Sequence, residues 1–358
     1  MKLGLWRNRL PILFAAALSL AGFTGCQTAP RPGAVAPRRG DEIVVAGRFI
    51  HTGGARVVTW LDPGGYDGYR VERRFSPLDQ ADWQKSKAAV QDLETPNRYN
   101  LRRAGLTDAE VERVRGGGWD LPTLRRVVDQ FVLHYDVCGT SRQCFQVLHD
   151  LRGLSVHFLL DLDGTIYQTL DVKERAWHAT TSNSRSVGIE IANMGAYGRN
   201  EKNPFAEWYT RDAQGTRLTI PARFGDGGLR TKNFVGRPAR PDPIAGVIQG
   251  QELIQYDFTP QQYDALIKLT ATLCKALPRI KCDYPHDAAG RLIPHQLPDD
   301  QLRGYEGVLG HFHIQTNKTD PGPAFQWDYV IGRARKLMGL CPDAALDRRG
   351  AALLLQER

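Results

Sequence analysis

The chain has 358 residues, 42% of them apolar and 24% charged, with a formal net charge of +8. These proportions are those of a globular protein and exclude a largely disordered chain, and the length allows a sizeable core in one or two domains. The charge excess is mild, reads as a solvated basic surface and gives no ground for a nucleic-acid partner.

Residues 1–25 read as an export signal. Lys2, Arg7 and Arg9 form a positive start, and Leu10 to Phe23 is a short apolar run followed by small residues. The run is shorter than the roughly 20 residues of a membrane-spanning helix. The ordinary reading is a signal peptide cut after a small residue. "FTGC" also resembles a bacterial lipobox, with Phe23 where leucine is usual. That resemblance implies lipidation at Cys26, a membrane partner through the acyl chains, and, because Gln27 follows, the periplasmic face of the outer membrane. Removing Lys2, Arg7 and Arg9 with the signal takes the charge from +8 to +5. Residues 26–41, rich in Pro, Ala and Arg, form a tether.

Residues 42–122 make an N-terminal flanking region. "EIVVAGRFI", "ARVVTWLD" and "GYRVERRF" are β-rich runs broken by Gly and Pro, and predict a small sheet or hairpin ahead of the main domain. Residues 79–115 are more helical in composition. From residue 123 the pattern sharpens into a domain over 123–340. "RRVVDQFVLHYD" reads as a buried strand ending at His134, and "SRQCFQVLHDLRG" as a helix closed by Gly153. "VHFLLDLDGTIYQTL" reads as two strands around Asp163-Gly164. "SVGIEIAN" alternates, placing Val187, Ile189 and Ile191 on one face and Glu190 on the other.

Residues 198–258 are polar and rich in Gly and Pro, too long for a plain connection, and read as an inserted functional or poorly ordered loop. Thr259 and Pro260 then open a helix with Tyr263, Leu266, Ile267, Thr270, Leu273, Cys274 and Leu277 along one face. In "GHFHIQTNKTDPGPAF" (310–325), Pro321, Gly322 and Pro323 stop any helix or central strand, leaving a loop rich in ionisable groups. Residues 341–358 are an unassigned tail.

Two histidines and a carboxylate suffice to hold Zn²⁺ with a fourth position left to water, a further carboxylate suits a general base, and a lysine suits an oxyanion. The chain offers His134, His311 or His313, Asp320, Glu190 and Lys318 for these tasks. The remaining His51, His149, His157, His286 and His295 read as surface or structural residues. An exported chain meets an oxidising compartment. Cys138 and Cys144 are near enough in sequence to staple one loop, as are Cys274 and Cys282, with free buried thiols as the other reading. Cys341 leaves the count odd.

"FVLHYD", "SVHFLLDLDGTIYQ", "RAWHA", "SVGIEIAN" and "LGHFHIQTNKTDPGPAFQW" occur in that order. Together they closely resemble the zinc-dependent N-acetylmuramoyl-L-alanine amidases related to peptidoglycan recognition proteins, over about residues 126–335, roughly 60% of the chain. The resemblance implies an α/β fold: a central mixed β-sheet flanked by helices, with a cleft on one sheet face. It implies Zn²⁺ on His134, His311 and Asp320, Glu190 as catalytic acid/base, Lys318 as catalytic lysine and His178 as a substrate contact. His313 is the competing second ligand if the loop is re-registered, and otherwise a rim or solvent-facing residue. A Cys138–Cys144 disulfide has a counterpart in the recognition proteins. The implied activity is hydrolysis of the amide between N-acetylmuramic acid and L-alanine in peptidoglycan or muropeptides. The alternatives are a non-catalytic peptidoglycan-binding lipoprotein and a different zinc peptide hydrolase.

Overall fold

The computed structural model describes residues 37–85 and 97–340, and the described residues from Arg38 onward make one compact unit. The signal segment with Cys26, most of the tether, and the tail with Cys341 lie outside the described residues. Among the described residues, no helix is long and apolar enough to cross a membrane.

The strands are, in chain order, β1 (Glu42–Val45), β2 (Arg48–His51), β3 (Val57–Thr59), β4 (Tyr99–Leu101), β5 (Gln130–Tyr135), β6 (Phe158–Leu160), β7 (Ile166–Gln168), β8 (Glu174–Ala176), β9 (Ser186–Ile191), β10 (Ala196–Gly198), β11 (Tyr209–Asp212), β12 (Gly215–Leu218), β13 (Ile244–Ile248), β14 (Gln251–Gln255) and β15 (Gly307–Gly310). A six-stranded mixed sheet in the order β15-β5-β9-β6-β7-β3 is the centre of the fold. Only β6 and β7 pair antiparallel within it, closing the Asp163-Gly164 hairpin. The α/β class expected from the sequence is the class observed.

The sheet has two unlike faces. On one, Phe131 and Leu133 of β5, Val187, Ile189 and Ile191 of β9 and Phe158 of β6 are buried against the helices Pro260–Ala276 and Trp327–Met338. Each such side chain contributes roughly 1.5–3 kcal/mol on burial. That anchoring offsets the cost of the polar groups carried by the opposite face. The helix Pro260–Ala276 starts where the sequence says: the Thr259 side chain accepts from the Gln262 N–H, the Gln262 side chain bonds back, and Pro260 stands at the first position. The same cap fastens the helix to the sheet, through Thr259 Oγ1 to Leu162 O at 2.7 Å and Gln262 Nε2 to Ala192 O at 2.7 Å.

Three local expectations are corrected. The strand carrying His134 starts at Gln130, because Arg125–Val127 close a helix, Leu121–Val127, capped by Asp120 with Pro122 in its first turn. The N-terminal β-rich runs do not stand ahead of the domain: β1 and β2 form a hairpin, but β3 joins the central sheet as an edge strand beside β7, and "GYRVERRF" forms no strand. The 198–258 stretch, expected as an inserted or poorly ordered loop, is folded: it holds the β11–β12 hairpin and strands β13 and β14, which β10 joins in one sheet, with Phe205, Trp208 and Tyr209 packed together in a small aromatic core of their own.

Candidate metal centre and catalytic cavity

The polar face of the sheet positions the first half of the site. His134 of β5 lies directly opposite Glu190 of β9, and partners on neighbouring parallel strands project to the same face. Val132 and Gly188 form the next pair on that face, and the missing side chain of Gly188 has a use. A Cβ there would lie 2.5 Å from the His178 ring, so glycine is what admits His178 beneath His134.

The second half comes from the loop after β15. A short 3₁₀ turn, His311–His313, and the Asp320 turn bring two more groups to His134. His134 Nδ1, His311 Nδ1 and Asp320 Oδ2 form a tight triangle with sides of 3.0, 2.8 and 3.0 Å. All three residues are buried. The opposite ring nitrogens are held by other groups. His134 Nε2 lies 3.0 Å from His178 Nδ1, whose Nε2 meets Ser186 Oγ at 3.2 Å, and His311 Nε2 lies 2.7 Å from Gln315 Oε1. The Gln315 oxygen can only accept, so His311 carries its proton on Nε2 and presents the Nδ1 lone pair inward. The same tautomer for His134 satisfies His178. Two lone-pair nitrogens and a carboxylate oxygen then face one another, a donor set that calls for a cation. Tetrahedral Zn²⁺ with bonds of about 2.0 Å needs ligand separations of about 3.3 Å, so a small opening of the triangle accommodates it. Imidazole ligands whose far N–H is held by a partner are the usual arrangement at such sites.

The electrostatics agree. Burial, reinforced by the neighbouring His311, pushes His134 down to about 4, so its ring is neutral at neutral pH. Burial works against ionisation of Asp320, but His311 and His134 outweigh it and hold the carboxyl well below its usual range. Glu190 goes the other way: burial first, then the charges of Asp320 and Asp136, raise it well above the ordinary carboxylate value. A second group of possible ligands joins the exposed His51 to half-buried Asp41 and buried Glu42, and Glu42 is already engaged by the N–H groups of Arg39 and Gly40.

His313 is excluded as a ligand. Its Nδ1 accepts from the Gly310 N–H at 2.9 Å and its Nε2 donates to Ile293 O at 2.9 Å, so neither nitrogen is free. It is not the rim residue expected otherwise but fully buried, and burial pushes it down to about 3. His149 and His157 are buried structural residues. His157 accepts from the Gly188 N–H at 3.1 Å and bonds Glu174 O at 2.9 Å.

His134, His178, Glu190, His311, Lys318 and Asp320 all line one cavity of about 290 Å³. The Glu190 backbone is paired in the sheet, while its carboxyl has no hydrogen-bond partner among the described residues and is available to a substrate or water. His178, expected as a substrate contact, lines the cavity and also bonds His134 and Ser186, so it supports the first ligand as well. Cys138 and Cys144 also line the cavity and stand as thiols side by side, as do Cys274 and Cys282 in the core. Sequence reasoning missed Gln315, although its place four residues after His311 in a helical turn is a readable signal.

The mixed α/β sheet thus carries a buried His-His-Asp cluster that could hold a metal ion, with the Glu190 carboxyl in the same cavity. Residues 124–230 match the family model described as N-acetylmuramoyl-L-alanine amidase. The matched stretch contains His134, His178 and Glu190; the fold brings His311, Lys318 and Asp320 to them from beyond it. No curated protein matches the chain. Among solved structures, a selenomethionine AmpD derivative is 18% identical, with 67% of this chain and 89% of that one covered and a TM-score of 0.30. The endolysin amidase LysCS of Clostridium intestinale URNW is 16% identical over 61% of this chain and 88% of that one, at 0.31. The E. coli amidase AmiD, solved with anhydro-N-acetylmuramic acid-L-Ala-D-gamma-Glu-L-Lys, is 18% identical over 60% of this chain and 58% of that one, at 0.32. Likenesses this distant decide nothing about the site.

Proposed function

We propose that this protein is a zinc-dependent amidase that hydrolyses the amide between N-acetylmuramic acid and L-alanine in peptidoglycan or muropeptides, in cell-wall turnover or recycling. The observation that carries the reading is the convergence of His134 Nδ1, His311 Nδ1 and Asp320 Oδ2 in one cavity with Glu190 and Lys318. Zn²⁺ held by those three residues would supply a Lewis acid for the amide carbonyl and lower the pKa of water.

The chain's own residues do the rest. His178 and Gln315 hold Nε2 of His134 and His311, so both rings stay oriented with Nδ1 on the inner side. Glu190, whose carboxyl burial raises above its ordinary value, takes the proton of the attacking water and returns it to the leaving nitrogen. The Lys318 ammonium, on the same cavity wall, stabilises the oxyanion of the tetrahedral intermediate.

Mass spectrometry of the products from purified sacculi and muropeptides, before and after chelation, tests the reading. A stem peptide with a free L-alanine amine is the expected product, lost on chelation. A cut within the peptide points to another peptide hydrolase, and no product points to a binding protein. The proposed cellular place is the periplasmic face of the outer membrane, through acyl chains on Cys26. The short apolar run and "FTGC" support this. Cys26→Ser is expected to leave the protein unacylated and outside the membrane fraction; unchanged attachment overturns the anchor.

A further inference from the structure

The 198–258 stretch has no part in the chemistry above, yet its last hairpin reaches both ends of the ligand loop. Gln249 stands in the turn between β13 and β14 with φ +53°. Its Nε2 donates to Phe312 O at 2.7 Å and Gln315 O at 3.0 Å, and its Oε1 accepts from the Gln296 N–H at 3.2 Å. Gln315 is the residue whose side chain holds His311 Nε2. One amide therefore sets the backbone that carries the support of the second ligand.

Gln255 closes the other end of β14 and is fully buried. Its Nε2 donates to Pro321 O at 3.0 Å and Asn193 Oδ1 at 3.2 Å, and its Oε1 accepts from the Ala324 N–H at 2.9 Å. The loop presses against it. Gly322 has φ +86°, and a Cβ there would lie 2.2 Å from Gln255 Oε1. A loop broken by prolines cannot pair its buried backbone groups through a regular ladder, so side-chain amides, each with donors and an acceptor, take that place.

We infer that Gln249 and Gln255 are positioning residues, and that the β13–β14 hairpin is a clamp that fixes the two ends of the loop bearing His311, Lys318 and Asp320 and thereby sets metal affinity. The inference rests on the metal reading above for its consequence, and on the hydrogen bonds alone for the clamp. Partners outside the ligand set typically change metal affinity by about 10–100-fold.

Gln249→Glu keeps the size and the acceptor but deletes the donors; Gln255→Met deletes every bond. Three quantities are read on each: zinc affinity by chelator competition, the visible spectrum of the Co²⁺-substituted protein, and amide hydrogen exchange of residues 311–324 in the metal-free protein. Zinc affinity is expected to fall about 10–100-fold, the Co²⁺ bands to shift and the loop amides to exchange faster. Val247→Ala, on the exposed face of the hairpin, is expected to leave all three unchanged. Gln249→Glu is the milder change and carries the test where Gln255→Met does not fold. Unchanged affinity, spectrum and exchange in the folded variants overturn the clamp. A wild-type protein that takes up neither zinc nor cobalt overturns the metal reading instead, and the exchange measurement then decides the clamp by itself.

Discussion

Two histidines two positions apart have opposite fates because their nitrogens are used differently. His311 commits one nitrogen to Gln315 and turns the other to His134 and Asp320, while His313 commits both to backbone. Metal analysis separates them. His311→Ala is expected to abolish zinc uptake. His313→Ala is expected to retain the ligand set but destabilise the fold, since each buried backbone group left unpaired costs about 1–3 kcal/mol. In the proposed mechanism Glu190 and Lys318 serve the chemistry and not the metal. Glu190→Gln cannot accept the water's proton and is expected to keep its zinc while losing about 10²-fold or more in turnover. Lys318→Ala is expected to lose a comparable factor, about 10²–10³, through the oxyanion. Zinc content measured beside cleavage of a muramoyl-peptide checks both, and near-normal turnover in Glu190→Gln removes it from the mechanism.

The strand pair β5–β9 is the element on which the site depends. Gly188→Ala touches no ligand, yet the added Cβ meets the His178 ring at 2.5 Å and displaces the group that orients His134. Weaker zinc binding by about 10-fold or more is the expected result, in line with loss of a ligand's hydrogen-bond partner. Chelator competition measures it, and unchanged affinity removes His178 from its supporting role. The alternation around Glu190, the Asp163-Gly164 hairpin and the Thr259-Pro260 cap were legible in the sequence because each is local: a period of two, a turn dipeptide, a capping residue. His134, Glu190, His311, Lys318 and Asp320 were legible as candidates through the resemblance, not through spacing. What sequence reading missed is set by contacts between distant segments. The recruitment of β3 to the central sheet, the aromatic core of Phe205, Trp208 and Tyr209, and the seating of Gln249 and Gln255 on a loop some 60 residues away all depend on the tertiary fold. The boundary at Gln130 was missed for a different reason: an apolar run looks alike in a helix end and in the strand after it.

At the scale of the molecule, the histidines kept neutral in the interior make the fold sensitive to acid. Burial pushes His157 and His313 each down to about 3, against about 6.5 in an unfolded chain. Above pH 6.5 both states are neutral and these groups add no pH dependence. Between 6.5 and about 3 the unfolded chain takes up protons that the folded one refuses, so stability falls as the pH falls, by about 1.4 kcal/mol per unit for each histidine. Urea unfolding of the metal-free protein from pH 7.5 to 4 measures the slope. Burial raises the carboxyls of Asp136, Asp161 and Glu190, which contribute the opposite sign, so the slope is compared with that of His157→Gln; an identical slope contradicts the neutral, buried state of that ring. The placement of the working groups has a consequence of another kind. His134 and Glu190 stand on adjacent strands of one ladder, whose spacing is fixed at about 4.8 Å by hydrogen bonding. His311, Lys318 and Asp320 ride on a single loop. The cavity thus has one wall built on a sheet and one built on a loop, and in the proposed mechanism the loop's groups share one fate: a displacement that takes Asp320 away takes Lys318 with it, so metal loss and loss of the oxyanion's cation become one event.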